Sequence, residues 1–91
     1  MIDNNMVPAL NPMFRFQWER AQGCYVLLFP EGMVKLNHSA GEIIALINGE
    51  RKVKIITELL MKKFPDAGDL TKDIHDLLMS AIEKKWIFDE K

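Results

Sequence analysis

Apolar and polar positions switch from a period of two to a period near that of a helix just after Leu36. Before that point "FRFQWE" alternates. Phe14, Phe16 and Trp18 share one face, and Arg15, Gln17 and Glu19 share the other, which predicts a half-buried strand. "RAQG" makes a loop. "CYVLLF" is apolar on both faces and predicts a second strand, covered on both sides. "PEG" turns the chain: Pro30 presets its own backbone angle, and Gly32 is free to take the left-handed conformation that a short hairpin loop uses. "MVKL" predicts a third strand, with Met33 and Lys35 on one face and Val34 and Leu36 on the other.

Beyond it the apolar positions recur at helical spacing. Ser39 and Glu42 match the S-x-x-E capping box, opening a first helix that runs to about residue 47, where Asn48-Gly49 stops it. Val53, Ile56, Leu60 and Phe64 form one stripe and predict a second helix over residues 53–64, ended by Pro65. Asp69 is the expected N-cap of a third helix over residues 70–85, whose stripe holds Leu70, Ile74, Leu77, Leu78, Ala81 and Ile82. "WIF" is expected to pack back as a short strand or tail. Residues 1–13 carry Pro8 and Pro12 and no periodicity, so they are expected to form a flexible N-terminal arm, leaving 14–91 as a single domain. The expected fold is α+β: winged helix-turn-helix-like, a three-stranded antiparallel sheet followed by three helices.

Composition narrows the function. A chain of 91 residues is one small domain. Its 12 basic and 13 acidic residues nearly cancel, which gives no global pull toward nucleic acid or an anionic membrane. One cysteine, Cys24, excludes an internal disulfide and fits a reducing compartment. No apolar run approaches the ~20 residues of a membrane helix. "MIDNNMVPAL" has no basic stretch followed by an apolar one, so no signal peptide is expected and the cytoplasm is the expected location.

The residues offer little chemistry. Cys24 falls in a strand predicted to be buried, where a thiol is packing. His38 and His75 stand 14 and 37 residues further along in turn, a spacing that matches no zinc pattern. Asp66, Asp69, Asp73 and Asp76 lack the alternation and the glycine of a calcium loop, and complement a helix dipole instead. There is no glycine-rich phosphate loop. The expectation is a non-enzyme with no catalytic residue, no metal site and no cofactor. A DNA-binding winged helix is the alternative, but its surface should present one sign of charge from several elements. Here residues 50–63 are mildly basic, residues 66–91 hold seven acidic and four basic residues, and the hairpin tip carries Glu31.

A binding module remains. The third predicted strand has a free side, which Lys35 could simply blunt or which could take an added strand from an extended peptide. The third helix would supply the other wall from one margin of its stripe: His75, Leu78, Met79 and Ile82, with Asp73, Leu77 and Lys84 on the opposite margin as the other choice.

"FRFQWERAQ", "YVLLFPEGMVKLNHSAGEII", "NGERKV", "FP" and the closing "KKWI" together resemble the PqqD family, coenzyme PQQ synthesis protein D. The resemblance covers about residues 12–87, with Ile44 where leucine is commoner. It implies a peptide chaperone of pyrroloquinoline quinone biosynthesis with a winged helix-turn-helix-like fold and no cofactor of its own. Such proteins bind the precursor peptide PqqA and associate with the radical SAM enzyme PqqE, which cross-links a glutamate and a tyrosine of that peptide. They are the founding type of the domain that recognises leader peptides. The leader docks as an extra strand on the third strand, against the third helix; some members form homodimers. Carried onto this chain, the resemblance makes Met33, Val34, Lys35 and Leu36 the strand edge and His75, Leu78, Met79 and Ile82 the helical wall. Residues 51–54 and the acidic face of the third helix are the two candidate surfaces for the enzyme.

Overall fold

The computed structural model describes residues 2–90; Met1 and Lys91, the outer ends of the expected arm and domain, lie outside the described residues. The elements are β1 (Pro8–Leu10), β2 (Arg15–Glu19), β3 (Cys24–Phe29), β4 (Gly32–Lys35), α1 (His38–Ile44), α2 (Val53–Lys63), a 3₁₀ turn (Pro65–Ala67), α3 (Thr71–Glu83) and β5 (Ile87–Asp89). Strands β2, β3 and β4 form an antiparallel sheet in that order, so β3 is central. The α+β class, the three-stranded sheet and the three helices are those the sequence pattern predicts.

The hairpin differs in one detail. Phe29 pairs with Gly32, so the loop is only Pro30 and Glu31. Gly32 is the first residue of β4 and keeps a strand conformation, since the positive-φ glycines are Gly23, Gly49 and Gly68. The left-handed conformation expected of Gly32 is not needed.

Strand β3 explains its two-sided apolar pattern. Leu27 is sealed in the main core, and Val26, pointing to the other face, is equally buried. Beside Leu27, Tyr25 stacks on Phe16 at 4.6 Å between ring centres and meets Trp18 edge-on at 5.0 Å. Helix α1 lies against this aromatic cluster. It begins three residues after β4 ends, because Asn37, in extended conformation, accepts the Ala40 N–H on its side-chain oxygen at 2.8 Å. Asparagine caps as well as serine, and this one comes earlier in the chain. The expected capping box of Ser39 and Glu42 is therefore replaced, and Glu42 pairs with Lys63 of α2 instead. The helix ends at Ile44 rather than near residue 47, and the chain tightens into i→i−3 bonds at Leu46 and Ile47.

Helix α3 starts one residue after expectation, at Thr71. Asp69 still serves its start: its carboxylate accepts the Thr71 N–H at 2.9 Å. The Thr71 hydroxyl first, and then that backbone bond, hold the Asp69 carboxyl below its ordinary range. The helix closes on Lys85, left-handed at φ 64°, with Lys85 N–H bonded to Ile82 and Trp86 N–H to Ala81. This is the paired ending in which a left-handed residue satisfies the last carbonyls.

The largest departure lies at the N-terminus. Residues 2–13, expected to be a flexible arm, are part of the body. Ile2 and Met6 belong to the main core at 6% exposure each. Strand β1 pairs antiparallel with β5, Ala9 opposite Phe88. Helix α2 has no side-chain cap at Lys52. Its first free N–H groups are taken by backbone carbonyls of the N-terminal segment: Val53 donates to Met6 at 2.9 Å and Lys54 to Asn4 at 3.1 Å. A helix start must find such acceptors somewhere.

Candidate functional site: an open strand edge and one flank of α3

Strand β4 is an edge of the three-stranded sheet. Which of its backbone groups are free follows from one bond. Leu36 N–H donates inward to the Tyr25 carbonyl at 3.0 Å. Facing positions alternate along an antiparallel ladder, so Val34, opposite Leu27, also bonds inward. The N–H and C=O groups of Met33 and Lys35 then point away from β3. The same two residues are exposed, whereas Val34 is half-buried on the core side and Leu36 is buried. Of the four strand residues read from sequence, Met33 and Lys35 offer backbone to a newcomer, and Val34 and Leu36 anchor the strand.

Helix α3 sorts its residues just as sharply. Ile74, Leu78 and Ala81 are sealed in the core. Leu78, expected to line the groove, reaches no solvent and supports the helix from beneath. It sits in the middle of the buried stripe rather than at its margin. His75 is half-buried, and Met79 and Ile82 are exposed on the same side of the helix. The opposite margin is engaged: Leu70 and Ile74 line an apolar cleft of about 200 Å³ with Ile43, Leu60 and Phe64, and the Lys84 ammonium lies 5.2 Å from the Trp86 ring centre. His75, Met79 and Ile82 form one flank of α3 with apolar surface at the solvent; on the other margin Asp73 and Lys84 are exposed and Leu77 is half-buried against the core. Nε2 of His75 is buried, with no hydrogen-bond partner among the described residues.

The chain is similar to known proteins over nearly its whole length. The model of the PqqD family, coenzyme PQQ synthesis protein D, matches residues 24–87. A "PqqA binding protein" of Pseudomonas paraeruginosa is 51% identical over 81 residues, covering 89% of this chain and 88% of that one. A "PqqA binding protein" of Kluyvera intermedia is 46% identical over 84 residues, covering 92% and 91%. The chain belongs to the PqqD family. Its fold also matches the solution NMR structure of the PqqD truncation of Methylobacterium extorquens PqqCD, described as a functional, stand-alone recognition element for ribosomally synthesised, post-translationally modified peptides. The TM-score is 0.79 at 24% identity, over 97% of this chain and 95% of that one.

In this PqqD-family chain the matched stretch runs from β3 to the first residue of β5, and so includes the open edge and all of α3. Among its described residues, no three His, Cys, Asp or Glu side chains come together in a way that could hold a metal ion. Cys24 is a half-buried free thiol in a cleft shared with Trp18, Tyr25, His38 and Glu42. No described helix is long and apolar enough to cross a membrane. What the site offers is hydrogen-bonding backbone on one strand and adaptable apolar side chains on one helix flank. A strand edge of this kind can take up an extended peptide segment.

Proposed function

We propose that this protein is a peptide chaperone of pyrroloquinoline quinone biosynthesis. It binds a PqqA-type precursor peptide by strand addition at β4 and presents it to a PqqE-type radical SAM enzyme in the cytoplasm. The observation that carries this reading is the unpaired β4 edge, with Met33 and Lys35 turned outward in a chain whose relatives are named for binding PqqA. The peptide's backbone would continue the ladder, and its apolar side chains would lie against Met79 and Ile82. Each added hydrogen bond contributes only about 1 kcal/mol net, so these side-chain anchors are needed for useful affinity. The chemistry belongs to the enzyme; this chain raises the local concentration of the peptide's reacting segment.

Calorimetric titration with synthetic precursor peptide tests the reading, and one-to-one saturation is expected. Lys35→Pro should keep the fold, because proline is tolerated on an edge strand where the lost N–H faces outward. It should weaken the peptide about tenfold, through one lost bond and a ring in the way of the added strand. Full affinity in a folded Lys35→Pro protein would contradict strand addition at this edge. A Met79→Asp, Ile82→Asp pair should weaken binding comparably, and unchanged binding would remove the α3 flank from the site.

A further inference from the structure

Helix α3 ends on a residue in an uncommon conformation. Among the described residues Lys85 alone, apart from glycines, has a positive φ, 64°. Glycine or asparagine usually takes this place at a helix end, because a Cβ crowds the following carbonyl oxygen there. Two bonds that close the helix depend on that conformation: Lys85 N–H donates to Ile82 at 3.0 Å and Trp86 N–H to Ala81 at 2.9 Å. Such a conformation persists only where the surroundings hold it.

Asn11 holds it. The Asn11 side chain donates from Nδ2 to the Lys85 carbonyl at 2.8 Å, and its backbone N–H donates to the Trp86 carbonyl at 2.8 Å. Asn11 is itself fixed by the turn that leads into β2. Its Oδ1 accepts the Met13 N–H at 3.0 Å and its carbonyl accepts the Phe14 N–H at 2.9 Å, with Pro12 presetting the backbone between them. The turn needs only a side-chain oxygen at position 11, which aspartate would also supply. The grip on Lys85 needs an amide donor, and a carboxylate would meet the negative end of the helix dipole. What Asn11 grips bears on the site, because Ile82 lies in the last turn of α3, exposed on the same flank as Met79. Were Lys85 to leave its left-handed conformation, both closing bonds would open, the last turn would fray, and Ile82 would lose its fixed place.

We infer that Asn11 is a positioning residue of the peptide site: by clamping Lys85 in its left-handed conformation it keeps the last turn of α3, and Ile82 with it, in place as a wall for the bound peptide. The inference rests on the proposed function for the identity of the ligand. It gives the N-terminal segment a part in recognition besides its part in the core.

The test titrates the full chain with synthetic precursor peptide, at a temperature where circular dichroism shows every variant folded. The variants are Asn11→Ala, Asn11→Asp, and Asn11→Ala combined with Lys85→Gly. Each single variant is expected to bind about fivefold more weakly, the loss that goes with leaving one side chain to be ordered on binding. Adding Lys85→Gly is expected to bring the alanine variant back to within about twofold of the parent, because glycine takes the left-handed conformation unaided. Amide hydrogen exchange reads the same event without peptide: the N–H groups of residues 85 and 86 exchange slowly in the parent, fast in both single variants, and slowly again in the combined one. Asn11→Ser, which keeps a weaker turn bond and no amide donor, replaces Asn11→Ala should that variant melt early. Were Asn11 to stabilise the fold and nothing more, the folded variants would bind peptide as the parent does, and that result overturns the inference. A loss of affinity that Lys85→Gly fails to restore overturns it too. No peptide binding by the parent would sink the proposed function as well, and is told apart because parent and variants then fail alike.

Discussion

Deleting residues 2–7 is expected to remove most of the stability of the protein. Ile2 and Met6 are both buried in the main core. Burying a side chain of this size contributes about 1.5–3 kcal/mol, so the two together contribute about 3–6 kcal/mol. The deletion also strips Val53 and Lys54 of the carbonyls that cap α2, and a lost cap costs about 1 kcal/mol more. A domain this small has a total of roughly 5–15 kcal/mol to lose. Urea unfolding followed by tryptophan fluorescence or circular dichroism measures the effect, as a midpoint far below that of the full chain or no cooperative transition at all. Met6→Asp should reproduce much of it by placing an unpaired carboxylate where a thioether packs. If the shortened chain unfolded at the same midpoint as the full one, the N-terminal segment would be a flexible arm after all.

Gly41→Val is the second large effect. Gly41 lies on the buried side of α1, directly over the Tyr25 ring. A Cβ there would stand 2.8 Å from one ring carbon and 3.3 Å from the Tyr25 Cβ. Tyr25 cannot swing aside cheaply, because Phe16 stacks on it and Trp18 meets its edge. Alanine gains about 1 kcal/mol of helix propensity over glycine, but forcing a methyl group into a packed contact costs about 1–3 kcal/mol. Gly41→Ala should therefore be destabilising or near neutral. Valine adds two more methyl groups and a stiff side chain, and should cost about 3 kcal/mol or more. A double-mutant cycle isolates the cause. In a Tyr25→Ala background Gly41→Ala should become stabilising, as the propensity alone predicts. An equal penalty with and without the Tyr25 ring would show that the close approach of helix and strand is not what requires glycine.

The elements that carry the candidate site were readable because their signals are local. "CYVLLF" gave β3 to the residue, and the alternation of "MVKL" sorted the β4 side chains onto two faces, of which the structure shows Val34 and Leu36 to be the inner. Backbone facing was not readable. It depends on ladder phase, fixed by the bond from Leu36 to Tyr25, and only that bond singles out Met33 and Lys35. Leu78 was misplaced because a wide apolar stripe does not say where its centre lies until the helix is docked; Ile74 and Ala81, buried beside it, show that centre. The N-terminal segment was missed for a different reason. It has no period because no period holds it. Its carbonyls at Asn4, Met6, Val7 and Pro8 are taken by N–H groups of Lys54, Val53, Glu90 and Gly49, all far along the chain. Ile2, Met6 and Ala9 enter the interior at irregular intervals.

Amide hydrogen exchange at single-residue resolution, with and without saturating precursor peptide, tests the central claim most directly. In the free protein Val34 and Leu36 should exchange slowly, because their N–H groups bond inward, while Met33 and Lys35 exchange fast. Peptide should slow Met33 and Lys35 strongly and leave Val34 and Leu36 little changed, since a strand added at this edge captures only the outward pair. If the peptide saturates the protein while Met33 and Lys35 keep exchanging at their free rates, the peptide does not bind by extending the sheet at β4.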